Sequence, residues 1–239
     1  MKKFLSFVLL ISTLYANENL SARAVIVSLD KTVLSSEIAG EIIELSKYEG
    51  DSFKKGETLI RLDCSIYKAQ KRKIEVEKEI AKLELEKNKK LDTYGSVGTF
   101  EIQISQENFN KQKAENDIAA INVERCDIKA PFDGKIASKK VSKYQSIKPQ
   151  DELLEIVGID NLEAKIVVPS SWLVWLKRGI ELDLNIDETK TTVKAQIVQI
   201  DSIVDPTSQS ITVRAKLLKP FENIISGMSA TANFYQQNN

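Results

Sequence analysis

Apolar and polar positions change rhythm three times along this chain. From Ala22 to Leu34 (ARAVIVSLDKTVL) β-branched residues alternate loosely with polar ones, which predicts strands. Short strands follow, cut by turns at Ala39-Gly40, Glu49-Gly50-Asp51 and Lys55-Gly56-Glu57. From Ser65 the period lengthens. Ile66, Ala69, Ile74, Val76, Ile80, Leu83 and Leu91 recur at three- and four-residue steps, separated by Lys, Arg and Glu. That spacing predicts an amphipathic helix with a narrow apolar stripe. TYGSVGTF (Thr93–Phe100) breaks it. A second helix is then predicted from Glu101 to Arg125, with Ile102, Phe109, Ile118, Ile121 and Val123 on its apolar face. Helices of that length run roughly 40 Å, and stripes so narrow predict that the two pack on each other as a coiled-coil hairpin.

The segments flanking the hairpin resemble each other. An offset of 94 positions carries EIAGEIIELSKYEGDSFKKGETLIRL (Glu37–Leu62) onto PFDGKIASKKVSKYQSIKPQDELLEI (Pro131–Ile156) without a gap. Gly40, Ile42, Ser52, Lys54 and Leu59 fall on Gly134, Ile136, Ser146, Lys148 and Leu153. Duplicated units that each hide half a core stack into one module, so the hairpin leaves that module and returns to it. After Gly158 the texture changes again. LEAKIVV, ELDLNI, VKAQIVQIDSIV and ITVRAKLL alternate at period two, and SSWLVWLKRG (Ser170–Gly179) predicts a short helical turn. Many strands with turn-rich joins predict a small β-barrel or sandwich, with the early strand Ala22–Leu34 completing it.

Composition narrows the chemistry. Lys and Arg number 34, as do Asp and Glu, so nothing marks a nucleic-acid binder. Histidine is absent, which removes the usual general base and the commonest metal ligand together. Lys2 and Lys3, the apolar run Phe4–Leu14 and the small exit at Ala16 read as a secretory signal peptide, too short to span a bilayer. Two cysteines in an oxidising compartment more often pair than stay free. Cys64 and Cys126 would sit together at the hairpin base, two unrelated buried thiols being the alternative.

With these residues in view, the chain resembles the membrane-fusion, or periplasmic adaptor, proteins of tripartite efflux and secretion systems. The resemblance rests on the two biotinyl/lipoyl-type half-motifs around an α-hairpin, on IKAPFDGKI (Ile128–Ile136), and on VVPSSWLVWLKRG, VDPTSQSITVRAKL and KPFENIISGM in that order. It implies an α+β, elongated, multidomain chain. The signal peptide would be 1–16, the first barrel strand 17–34, the half-modules 35–63 and 127–158, the hairpin 64–126, a small β-barrel 159–235 and a tail 236–239. It also implies no enzymatic activity and no cofactor. The implied site is periplasmic, beside an inner-membrane pump. The implied partners are an inner-membrane transporter (RND or ABC type), an outer-membrane channel and further copies of the chain. An enzyme-bound carrier domain would need its modified lysine on the turn where the hairpin stands. A coiled-coil scaffold without a transporter is the remaining rival.

The resemblance further places channel docking at the hairpin tip: Leu91, Tyr94, Gly95, Ser96, Val97, Gly98, Thr99 and Phe100. Leu91 matches the family's leucine and Ser96 or Thr99 its serine, while Lys87, Lys89 and Lys90 stand where it carries arginine. Lysine lacks the planar fork that makes bidentate contacts. Gln209 replaces another family arginine. Only five residues follow Phe234, which implies that the family's membrane-proximal domain is not part of this chain. Tyr144 and Gln150 align with Gly50 and Gly56, so the second half-module is expected to build its turns differently. Copper or silver export is disfavoured, because only Met1 and Met228 could offer thioethers.

Overall fold

The computed structural model describes residues 20–219 and 223–235. The expected signal peptide, its exit at Ala16 and the tail 236–239 lie outside the described residues. In chain order, β1 (Leu20–Ser28), β2 (Lys31–Ser35), β3 (Gly40–Leu45), β4 (Ser52–Phe53) and β5 (Thr58–Leu62) lead into α1 (Ser65–Asp92) and α2 (Thr99–Glu124). Strands β6 (Asp127–Lys129), β7 (Gly134–Lys139), β8 (Ser146–Ile147) and β9 (Glu152–Gly158) follow. Then come β10 (Leu162–Pro169), a 3-10 turn (Ser170–Val174), β11 (Glu181–Ile186), β12 (Thr192–Ile200), β13 (Ser210–Leu217) and β14 (Ser229–Phe234). The chain divides into two compact units, one spanning 28–162 and the other joining the residues before it to those from Glu163 onward.

In the first unit two four-stranded sheets, ordered β2-β9-β7-β4 and β6-β5-β3-β8, face each other as a sandwich. The 94-residue offset seen in the sequence is also the offset of the strand registers. Ile42 pairs with Leu62 as Ile136 pairs with Ile156, and Arg61 pairs with Asp127 as Glu155 pairs with Val33. Equivalent apolar side chains from both halves, Leu59, Ile60 and Leu62 with Leu153, Leu154 and Ile156, are fully buried in one core. Each such side chain is worth roughly 1.5–3 kcal/mol of burial, and neither half can supply the opposing face alone.

Two expectations are corrected here. The segment 17–34 is not one barrel strand. Leu20–Ser28 is β1 of the barrel, but Val33 and Leu34 belong to β2, which pairs with β9 and leans Leu34 on the sandwich core. The repeat reaches further back than the identities show, since β2 is the counterpart of β6, and its register requires an edge strand beside β9. The turns of the second half are also not built differently. Tyr144 (φ 69°) and Gln150 (φ 73°) adopt the left-handed backbone of Gly50 (φ 88°) and Gly56 (φ 81°). Tyr144 N–H donates to the Ile42 carbonyl as Gly50 N–H donates to Ile136, and Gln150 N–H donates to Ser36 as Gly56 N–H donates to Ala130. Cross-half hydrogen bonds thus fix the turn shape, and the side chains submit to it.

The second unit is a closed six-stranded barrel, ordered β1-β10-β13-β12-β11-β14. Period-two alternation puts Ile26, Ala164, Ile166, Leu184, Ala195, Val213, Ala215, Ala230 and Ala232 inside. The many alanines fit the narrow interior that so few strands enclose. At one end Trp172 and Trp175 meet Phe234 edge to face, with ring centroids 5.2 and 5.9 Å away, and Leu176 is buried next in sequence.

Candidate functional site: the hairpin, its tip and its anchored base

Helices α1 and α2 form the expected antiparallel hairpin, but on a different seam. Among the buried and half-buried positions are Tyr67, Lys71, Ile74, Lys78, Ala81, Leu85 and Asn88 on α1, and Ile102, Ser105, Phe109, Gln112, Asn116, Ala119 and Val123 on α2. These alternate steps of three and four, the heptad rhythm of a coiled coil. Of the stripe expected from sequence, Ile74, Leu91, Ile102, Phe109 and Val123 are at least half-buried. Ala69 and the larger Ile66, Val76, Ile80, Leu83, Ile118 and Ile121 are exposed instead. The rotation follows from the base: Cys64 and Cys126 themselves occupy seam positions, and steps of three and four from them generate the rest. Small or polar side chains at most layers explain why no apolar pattern announced the seam. Two of its buried amide oxygens, Gln112 Oε1 and Asn116 Oδ1, find no donor among the described residues.

The base is tied in several ways. A disulfide joins Cys64 to Cys126, with Cα atoms 5.7 Å apart, and both residues are buried in the sandwich core. Leu62 N–H donates to the Cys126 carbonyl at 2.8 Å. Tyr67 Oη donates to the Ala39 carbonyl at 2.9 Å, and Arg125 Nε meets Glu37 Oε2 at 2.6 Å. Asp63 accepts the Ser65 N–H at 2.9 Å, and that amide, then the Ser65 side chain, holds its carboxyl below the ordinary range. Nearby, Asp133 of the second half grips a turn of the first, accepting Lys55 N–H at 2.6 Å and Lys54 Nζ at 3.0 Å. The Lys55 amide first and the Lys54 ammonium second lower its pKa.

At the tip α1 ends in a Schellman arrangement. Ser96 N–H donates to the Leu91 carbonyl at 3.1 Å and Gly95 N–H to Asp92 at 2.8 Å, with Gly95 at φ 67°. Glycine is the residue that enters this region without strain. Thr93 Oγ1 donates to the Lys90 carbonyl at 2.6 Å. Gly98 precedes α2 in extended geometry, so Thr99 and Phe100 open that helix, two residues earlier than expected. Leu91 and Val97 are half-buried, whereas Tyr94 (81% exposed) and Phe100 (72%) stand free in solvent. Lys89 and Lys90 lie in the last turn of α1, where cations complement the helix dipole. The tip therefore presents two exposed aromatic rings beside Lys89 and Lys90.

Residues 31–158 match the family model described as the barrel-sandwich hybrid domain of RND MFP proteins. The nodulation protein NolF of Rhizobium meliloti (strain 1021) is 24% identical over 199 residues, covering 77% of this chain and 54% of that protein. The solvent efflux pump periplasmic linker SrpA of Pseudomonas putida is 21% identical over 208 residues, covering 80% and 54%. The chain spans about half the length of the curated relatives it matches. Among solved structures, a MacA-MexA chimera carrying the Pseudomonas aeruginosa MexA α-hairpin superimposes with a TM-score of 0.75 at 20% identity, covering 90% of this chain and 80% of that one. At that identity the likeness concerns the fold.

Proposed function

The chain belongs to the membrane fusion protein family, the periplasmic adaptors, and from that premise we propose that it is the adaptor of a tripartite efflux system, joining an inner-membrane transporter to an outer-membrane channel for export of small molecules. Members of this family carry out no chemistry. The carrying observation is the hairpin, inserted in a split sandwich and stapled to it by Cys64–Cys126, with an exposed tip. A rod anchored at its base transmits position, which is the physical requirement on a linker between two membranes.

Within that reading the sandwich is a split lipoyl-like module, a reading supported by its 94-residue internal register. The tip residues Leu91, Tyr94–Phe100 dock the channel, with Tyr94 and Phe100 as the aromatic anchors that interface cores favour. Copies of the chain stand side by side in the assembly, located in the periplasm at the pump. The transporter is of the RND type, which the matched family description favours over an ABC exporter.

The test is co-purification from membranes together with tip cross-linking. The chain is expected to bring down an RND-type transporter, and deletion of residues 93–100 is expected to abolish both channel cross-links and export while leaving transporter co-purification intact. Capture of an ABC-type pump would replace the RND assignment. Export untouched by the deletion would remove the docking role of the tip.

A further inference from the structure

The barrel end that carries Trp172 and Trp175 exposes apolar side chains at the tips of its connections. Val174, in the 3-10 turn after β10, is 88% exposed and its neighbour Leu173 is 42% exposed. Ile203, in the β12–β13 connection, is 81% exposed. Both connections lie at the same end, because Pro169 pairs with Ser210 and Ser170 N–H donates to the Gln209 carbonyl. Tyr235, 61% exposed, leaves β14 there as well, since Phe234 pairs with Leu20 and Leu182. Lys177 and Arg178 follow in the next turn.

We propose that this end of the barrel is a membrane-interface surface that inserts Leu173, Val174 and Ile203 among lipid headgroups. Two features favour lipid over a protein partner. The apolar side chains protrude at loop tips, a convex arrangement suited to a deformable surface. Half-buried indoles stand directly behind them, and tryptophan favours the membrane–water boundary. Charge at this end is mixed, with Lys177 and Arg178 beside Glu181, Asp183, Asp201 and Asp205, so the apolar side chains drive the insertion.

The two tryptophans are the only ones in the chain and both lie at this end, so their emission reports on the patch. Full chain is mixed with protein-free vesicles of phosphatidylcholine, with and without phosphatidylglycerol, and followed by flotation and tryptophan fluorescence. Wild type is expected to float with both vesicle types, and its emission to shift to the blue. The double variant Val174→Asp/Ile203→Asp, altered only at exposed positions, is expected to keep its thermal unfolding profile and to lose at least about tenfold in partitioning, as removal of two inserted apolar side chains implies. Residues 1–19 are the same in both chains, so equal flotation of wild type and variant would assign binding to that segment and overturn the proposal. A wild type that ignores vesicles but captures a protein from solubilised membranes through Val174 overturns the lipid assignment too.

Discussion

Gly50 and Tyr144 hold one and the same position in the two halves of the sandwich. The Gly50 amide donates to the Ile136 carbonyl at 2.9 Å and the Tyr144 amide to the Ile42 carbonyl at 2.7 Å, both from a left-handed backbone. Gly56 and Gln150 are related in the same way. An L side chain in that region is strained by about 1 kcal/mol relative to glycine, part of which glycine returns through its freer unfolded chain. Gln150→Gly is therefore expected to raise stability by about 0.5 kcal/mol and Gly56→Gln to lower it by about as much. Urea midpoints of the two variants check both signs.

The Cys64–Cys126 disulfide spans 62 positions of sequence. Chain-entropy reasoning gives such a closure roughly 4 kcal/mol. Reductant is expected to lower the unfolding midpoint of wild type by that order and to leave a Cys64→Ser/Cys126→Ser chain, already lowered, unchanged. Peptide mapping without reductant should recover the two cysteines in one linked fragment.

Asp133 supplies a pH signature. Its folded pKa lies below the ordinary carboxylate value because the Lys55 amide and the Lys54 ammonium favour the ionised form. A depressed folded pKa gives stability that is complete above the unfolded value of about 4 and is lost as pH falls through the folded one. The stability difference between wild type and Asp133→Asn is expected to be level from neutral pH down to about pH 5, and to close below about pH 4. Urea unfolding across that range, with an NMR titration of the carboxyl, provides the check.

The hairpin seam carries its own weakness. Gln112 Oε1 and Asn116 Oδ1 are buried with no donor among the described residues, and an unpaired buried carbonyl costs about 1–3 kcal/mol. Gln112→Leu and Asn116→Leu are each expected to stabilise the helices by about 1 kcal/mol, read from the loss of helical circular dichroism on heating. Destabilisation by both would mean that the amides are satisfied in solution.

The hairpin and the repeat were legible because each declares itself through a period: three- and four-residue steps without glycine or proline, and a gap-free offset of apolar positions. The strand Lys31–Ser35 was not, because its counterpart Arg125–Lys129 shares no identities with it beyond the backbone register. Ile66, Val76, Ile80 and Leu83 misled because they are as numerous as the apolar residues of the true seam, Tyr67, Ile74, Ala81 and Leu85, with which Lys71, Lys78 and Asn88 interleave. Tyr144 and Gln150 misled for a related reason: residue type reports what a turn prefers, while cross-half hydrogen bonds decide what it gets. Of the candidate tip, Gly95 was readable as the helix stop. The exposure of Tyr94 and Phe100 depends on a fold that leaves no neighbour over them.

Because every turn of one half of the sandwich is bonded to the other half, the order in which the chain acquires structure is constrained. The residues up to Leu62 cannot settle until those near Ile156 have been made and delivered. Helix pairing is local and fast, whereas non-local strand pairing is slow. Zipping of α1 against α2 is expected to carry the two halves to within bonding distance ahead of sheet formation and so to shorten the chain search. The hairpin would thereby serve as a folding jig. A proline placed in the middle of α2 should slow refolding of the sandwich far more than its distance from that core would suggest.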